Sequence, residues 1–173
     1  MILNWDAIGA IGEIAGAIVV VATLIYLSRQ ISQNASALDR SNEYAQASSI
    51  HNTNSLFVQV FSLLVQDQEM ASIYYRAMKP EDLNGVDSVR FASFLNAYFS
   101  WSEDMYCQAE ARLGFGEYTK MDSMQILEGE YGYWGRLLAT NAGEIWWKDI
   151  AAHLFSPDFI KAINKIRSNA RSD

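Results

Sequence analysis

Ala7 to Leu27 reads A-I-G-A-I-G-E-I-A-G-A-I-V-V-V-A-T-L-I-Y-L, a stretch of 21 residues with one charge. A helix of that length, at about 1.5 Å per residue, spans about 30 Å, the thickness of a bilayer's hydrocarbon core. Trp5 and Tyr26 stand at its two ends, where amphipathic rings favour the membrane interface, and Arg29 follows just beyond. The stretch therefore predicts a transmembrane anchor over residues 1–30. A cleaved signal peptide would need a basic leader, a shorter apolar core and a small-x-small site. Residues 1–6 hold no Lys or Arg and the apolar run is long, so a retained anchor is the better reading. A buried helix of a soluble protein is the other alternative.

Glu13 lies about a third of the way along this stretch. A carboxylate at that depth costs on the order of 3 kcal/mol, so it is expected to be neutral, hydrogen-bonded or facing water in an assembly. Gly9, Gly12 and Gly16 surround it. Gly12-x-x-x-Gly16 is the small-residue spacing that lets two helices approach closely. Three readings stand side by side: a proton or cation site, as in a pore ring; polar glue between helices; or a side chain that reaches the interface.

Outward from the anchor, no Pro or Gly follows until Pro80. The anchor is thus expected to continue as a stalk helix over 31–66. Steps of three and four run through Ala7, Ala10, Ile14, Ala17, Val21, Leu24, Ser28, Ile31, Ala35, Leu38, Asn42, Ala45, Ser49, Asn52 and Leu56, a coiled-coil period. Past Leu38 its members are small or polar. They would line a wet seam, pack tightly between neighbours, or form an ordinary solvated face.

Residues 67–173 read as a helical bundle. A short amphipathic helix over 68–78 closes at Lys79-Pro80. The strongest soluble helix covers 87–112, with Phe91, Phe94, Leu95, Tyr98, Trp101, Met105, Tyr106 and Ala109 on one stripe. Gly114 and Gly116 are expected to end it in left-handed turns. Another helix covers 119–139, where Gly129, Gly132 and Gly135 would let a neighbour come close. A break at Asn141-Ala142-Gly143 precedes a segment to Leu154, and Ser156-Pro157-Asp158 opens the last helix, 157–168. The expected fold is all-α: an anchor, a stalk and a helical-bundle soluble domain.

The net charge is −7, of which residues 1–30 hold −1 and the remainder −6. An acidic domain offers no basic face to nucleic acid and no polybasic lipid patch. Cys107 is the only cysteine, so an intrachain disulfide is impossible, which fits a reducing compartment. Arg29 and Arg40 follow the span and only Asp6 precedes it, which places the N-terminus outside and the domain in the cytoplasm.

No phosphate loop, zinc spacing or nucleophile elbow is present, and no cofactor is indicated. Glu103, Asp104 and Glu110 form one carboxylate group, Glu128 and Glu130 another. Di-iron bundles pair such acids with Glu-x-x-His, and neither His51 nor His153 follows a Glu by three. Arg76, Arg90, Arg112 and Arg136 are expected to neutralise these acids. Trp146-Trp147 points in two directions on a helix: one ring is expected in the core, the other is free for a ligand, a lipid headgroup or a partner.

Asn4-Trp5-Asp6-Ala7-Ile8-Gly9-Ala10-Ile11-Gly12-Glu13-Ile14, Leu24-Ile25-Tyr26-Leu27, Gln30-Ile31, Trp146-Trp147 and Leu154-Phe155-Ser156-Pro157-Asp158-Phe159 resemble a widespread family of bacterial membrane proteins with no assigned activity. The resemblance covers both ends of the chain and, loosely, its middle. It implies a single-pass protein of the bacterial inner membrane, with Glu13 as part of the family's pattern.

The leading expectation is a homo-oligomer in membrane lipid, a scaffold or an ion-conducting pore with Glu13 as its polar ring. An accessory subunit of a larger membrane complex is the second. A membrane-anchored sensor or enzyme is the third, and it needs a pocket with convergent polar groups.

Overall fold

The computed structural model describes residues 5–79 and 81–170, without the side chains of Trp5, Ala7 and Phe115. The regular structure of the described residues is all helix, with no strand among them. Helix α1, Trp5–Gln66, runs unbroken for 62 residues, as the absence of Pro and Gly after Gly16 requires. The chain divides into two compact units, Met1–Tyr44 and Ala45–Asp173. The second unit therefore takes in the end of α1.

Among the described residues of the first unit the apolar side chains are exposed. Ile11, Ile18 and Tyr26 are 68%, 64% and 66% exposed. This helix is long and apolar enough to cross a membrane, and none of its most apolar window is buried.

In the second unit each turn carries its own stop and start. Asp67 ends α1 in extended backbone and caps α2, Gln68–Ala77, by accepting from the amides of Glu69 and Met70. Asn84 caps α3, Gly85–Glu110. Asp122 and Gln125 close a reciprocal capping box on α5, Ser123–Ala139. Thr140 caps α6, Asn141–Trp146. A π-helical turn, Trp147–Ala151, and the single turn α7, Ala152–Leu154, lead to α8, Pro157–Ala170. Pro80, expected to close α2, lies outside the described residues.

Helix α3 is central. It buries Phe91, Phe94, Leu95, Tyr98, Phe99, Trp101, Ser102, Met105 and Ala109, more than one stripe, because neighbours surround it. Several of the expected boundaries shift: α3 covers Gly85–Glu110 rather than 87–112, and α5 starts at Ser123 rather than residue 119, because Asp122 caps it. Arg112 and Gly114 take the left-handed turns, and Gly116 sits inside a short helix, α4, Gly114–Thr119. There a Cβ on Gly116 would run into the backbone of Ala109, so glycine is what lets α4 lie against α3. The break expected at residues 141–143 falls at Thr140 instead. Gly143 is within α6, where a Cβ would collide with the Leu137 carbonyl.

The glycines of α5 do not do what their spacing suggests. A Cβ at Gly129 or Gly132 would meet nothing within 4 Å, and at Gly135 the atoms nearest to it would belong to the Tyr131 ring of the same helix. The buried face of α5 is Ser123, Ile126, Leu127, Trp134, Leu137 and Leu138, which the glycines leave free. At its end the stalk register is not the face of α1 that the second unit buries. Asn52 and Leu56 are exposed, whereas Thr53 and Val60 are buried. A straight α-helix turns away from a strict seven-residue repeat by about 20° per heptad, which over the repeats from Ala7 to Leu56 amounts to about 140°.

Candidate functional site

The residues of the expected anchor site lie on one helix and stay exposed within their unit. A Cβ at Gly9, Gly12 or Gly16 would meet nothing within 4 Å. Glu13, Tyr26 and Arg29 are exposed. Trp5 opens α1, and its side chain lies outside the described residues.

The second unit holds a site that the sequence reading did not single out. The end of α1, the middle of α3 and the middle of α5 line an open cavity of about 400 Å³, formed by Phe57, Phe61, Tyr98, Trp101, Gly129, Glu130 and Tyr133. Five of these are aromatic, and their rings form a closed circuit. Phe57 meets Trp101 at 4.9 Å between centroids, Trp101 meets Tyr98 at 5.6 Å and Tyr98 meets Tyr133 at 5.1 Å. Tyr133 meets Phe61 at 5.4 Å, and Phe61 returns to Phe57 at 4.5 Å. The contacts are tilted, as ring quadrupoles prefer over face-to-face stacking.

Glu130 is the one carboxylate in this lining. It is half-buried, and the Tyr98 hydroxyl donates to its Oε2 at 3.0 Å. Burial pushes the carboxyl up to about 7, against the opposing pull of the Tyr98 hydrogen bond. Burial and the adjacent carboxylate raise the Tyr98 hydroxyl in turn. Among the described residues no Lys or Arg pairs with Glu130. Trp101 is 7% exposed, and its indole N–H is buried without a hydrogen-bond partner.

The other predicted groups resolve into structural roles. Both tryptophans of the pair are core residues, at 2% and 5% exposure. The segment runs between α3 and α8, so two faces are covered at once. The Trp146 indole donates to Asn96 of α3 at 2.8 Å, and the Trp147 indole donates to Asn164 of α8 at 3.0 Å. Neither is the free ring expected for a ligand or partner.

The arginines do not neutralise the expected acids. Arg76 pairs with Asp87 at 2.8 Å, and Arg90 bridges Asp67 and Glu69. Arg136 donates to the Gly132 carbonyl of its own helix. The acids meet neutral groups instead. Asp104 accepts from Thr53 at 2.9 Å and from Gln108 at 2.7 Å, Glu110 accepts from Ser123, and Glu103 accepts from the Ser156 amide at 2.7 Å. Among the described residues no three His, Cys, Asp or Glu side chains come together as a metal site.

One signal in the sequence does separate Glu130 from Glu128. Ser123, Leu127, Glu130, Trp134 and Leu137 follow one another at steps of three and four, so Glu130 falls on the buried face of α5 while Glu128 falls outside it. A carboxylate in a core register is a functional candidate. The aromatic residues around it come from three separate helices, and no spacing rule brings those together.

Comparison with family models, with curated proteins and with solved structures finds no match to this chain. The site's chemistry therefore rests on its own residues.

Proposed function

We propose that the chain is a single-pass membrane protein that works as a self-associated scaffold, with its helical domain in the cytoplasm of a bacterium's inner membrane. One observation carries the reading. The buried core lies in the second unit, although the end of α1 leaves Leu56, Val58, Leu63 and Val65 exposed there, whereas none of the most apolar window of α1 is buried at all. Lipid suits the aliphatic side chains of that span. It does not suit Glu13, which needs a polar neighbour. A second copy supplies one, because packing on Gly9, Gly12 and Gly16 sets like against like and brings each Glu13 towards its counterpart.

The side assignment is supported by Arg29 and Arg40 on the domain side of the span. Cys107 is exposed and offers a direct check. A membrane-impermeant thiol reagent should label it in lysed spheroplasts and not in intact ones.

The self-association is tested by measuring the mass of the full chain in maltoside micelles at micromolar concentration. We expect a discrete multiple of 19.5 kDa, reduced towards the monomer by Gly12→Leu. A monomeric wild type overturns the reading. Stoichiometric foreign subunits recovered from native membranes would replace it with the accessory-subunit reading.

A further inference from the structure

We infer that the aromatic cavity of the second unit binds an organic ammonium ion, with the ring faces as its walls and Glu130 as its counter-charge. The inference does not depend on self-association of the anchor.

The volume, about 400 Å³, falls at the small end of the range found for sites of small molecules. The lining selects the ligand's chemistry in three steps. An anion is disfavoured, because Glu130 is the one acidic or basic side chain in the lining and no Lys or Arg pairs with it among the described residues. A neutral apolar molecule would strip further water from that carboxylate and return nothing to it. A cation supplies the missing charge.

The same lining decides what kind of cation. A metal ion needs several oxygen, nitrogen or sulfur ligands, and here a single carboxylate stands among phenyl, phenol and indole rings. An ammonium carrying alkyl groups instead spreads its charge over a surface that π-faces attract. Such contacts are strongest when desolvated. Five aromatic rings line the cavity, tilted on one another, and Phe61 also meets Tyr98 at 6.3 Å across the circuit. The Tyr98 hydroxyl, donating to Oε2, orients the carboxylate and leaves its other oxygen for the ligand.

Gly129 provides the means to close the site without disturbing the fold. It lies in the lining, and a Cβ there would meet no atom within 4 Å. A long side chain at this position enters open space, while the helix gains from losing a glycine.

A free alkylammonium and the headgroup of a lipid carry the same chemistry, so the experiment includes both. The full chain in maltoside, a detergent without an ammonium group, is titrated by calorimetry with choline, with glycerophosphocholine and with 3,3-dimethylbutan-1-ol, the uncharged isostere of choline. We expect saturable binding of one ammonium probe per chain, with the isostere at least about tenfold weaker. Tighter binding of choline identifies a free cation as the source; tighter binding of glycerophosphocholine identifies a headgroup. Glu130→Gln should weaken the ammonium probe by about tenfold or more, and Gly129→Met should abolish its binding, both with the thermal midpoint kept or raised. No saturable binding of either ammonium probe overturns the inference. So does equal binding of the isostere, or binding unchanged in Glu130→Gln.

Discussion

Two stretches of this chain both carry large apolar side chains, and those side chains meet opposite fates. Ile18, Val21 and Leu24 of α1 are 64%, 55% and 59% exposed, while Phe91, Leu95 and Phe99 of α3 are fully buried. The difference lies in what surrounds the apolar residues along each helix. The span of α1 is apolar around its whole circumference, with Glu13 as its one charge. Helix α3 mixes its apolar positions with Asp87, Arg90, Glu103 and Asp104, which tie it to neighbouring segments through Arg76, Asp67, Ser156 and Thr53. Apolar content alone does not send a helix into a core. The polar residues among the apolar ones decide which neighbours can cover it.

The comparison breaks most visibly if the two regions are truncated in parallel. Trp134 is wholly buried and its indole donates to the Leu127 carbonyl at 2.9 Å. Trp134→Ala should cost the domain about 3–5 kcal/mol, through lost burial and the cavity left behind. Val20→Ala, in the span, should move the domain's stability by less than about 0.5 kcal/mol. Denaturant titration followed by tryptophan fluorescence measures both. Equal losses would mean that the span and the domain share one folding unit, and the contrast would fail.

A second, smaller effect separates the carboxylates of the two regions. The Glu130 carboxyl stands at about 7 in the folded chain against an ordinary 4.5. The folded state therefore holds a proton that the unfolded state has released between those two values. Stability should fall as pH rises from 4.5 through 7 and level off above, by about 3 kcal/mol in all. Tyr98 and Tyr133, both raised by burial, stay neutral over this window. Glu130→Gln keeps an acceptor for the Tyr98 hydroxyl and removes the titration. Its stability at pH 8 should exceed that of the wild type, and its pH profile should be flatter between 5 and 8. A profile unchanged by the substitution would show that Glu130 is solvated in the folded state.

What the sequence made legible follows the same division. Helical class and the unbroken α1 were legible as local matters, whereas the caps at Asp67, Asn84 and Asp122 were not singled out. The stripe on α3 was legible as well, although Phe99 and Ser102 were not, since a helix surrounded by neighbours buries more than one face. The aromatic cavity was illegible because it is assembled by tertiary packing. Phe57, Tyr98 and Tyr133 lie far apart in sequence, and nothing local pairs them. Trp146-Trp147 misled for a related reason. Alternation of faces is a rule about one helix, and here the flanking helices cover both faces.

The smallest effect tests the comparison most directly, because it makes one substitution in both regions. Gly132 of α5 and Gly12 of α1 each have open space where a Cβ would stand. In the domain that space is solvent beside a helix whose buried face lies elsewhere, so Gly132→Ala should simply remove backbone freedom and raise stability by about 0.5–1 kcal/mol. In the span the same space is the surface on which a second copy is proposed to pack. Gly12→Ala should leave the domain's stability unchanged and weaken self-association in maltoside, because a methyl group there holds the two backbones apart. Measuring thermal midpoint and mass for both variants gives two opposed outcomes from one chemical change. If Gly12→Ala leaves the mass untouched at every concentration tried, the glycine face is not where copies meet, and the span's exposure answers to lipid alone.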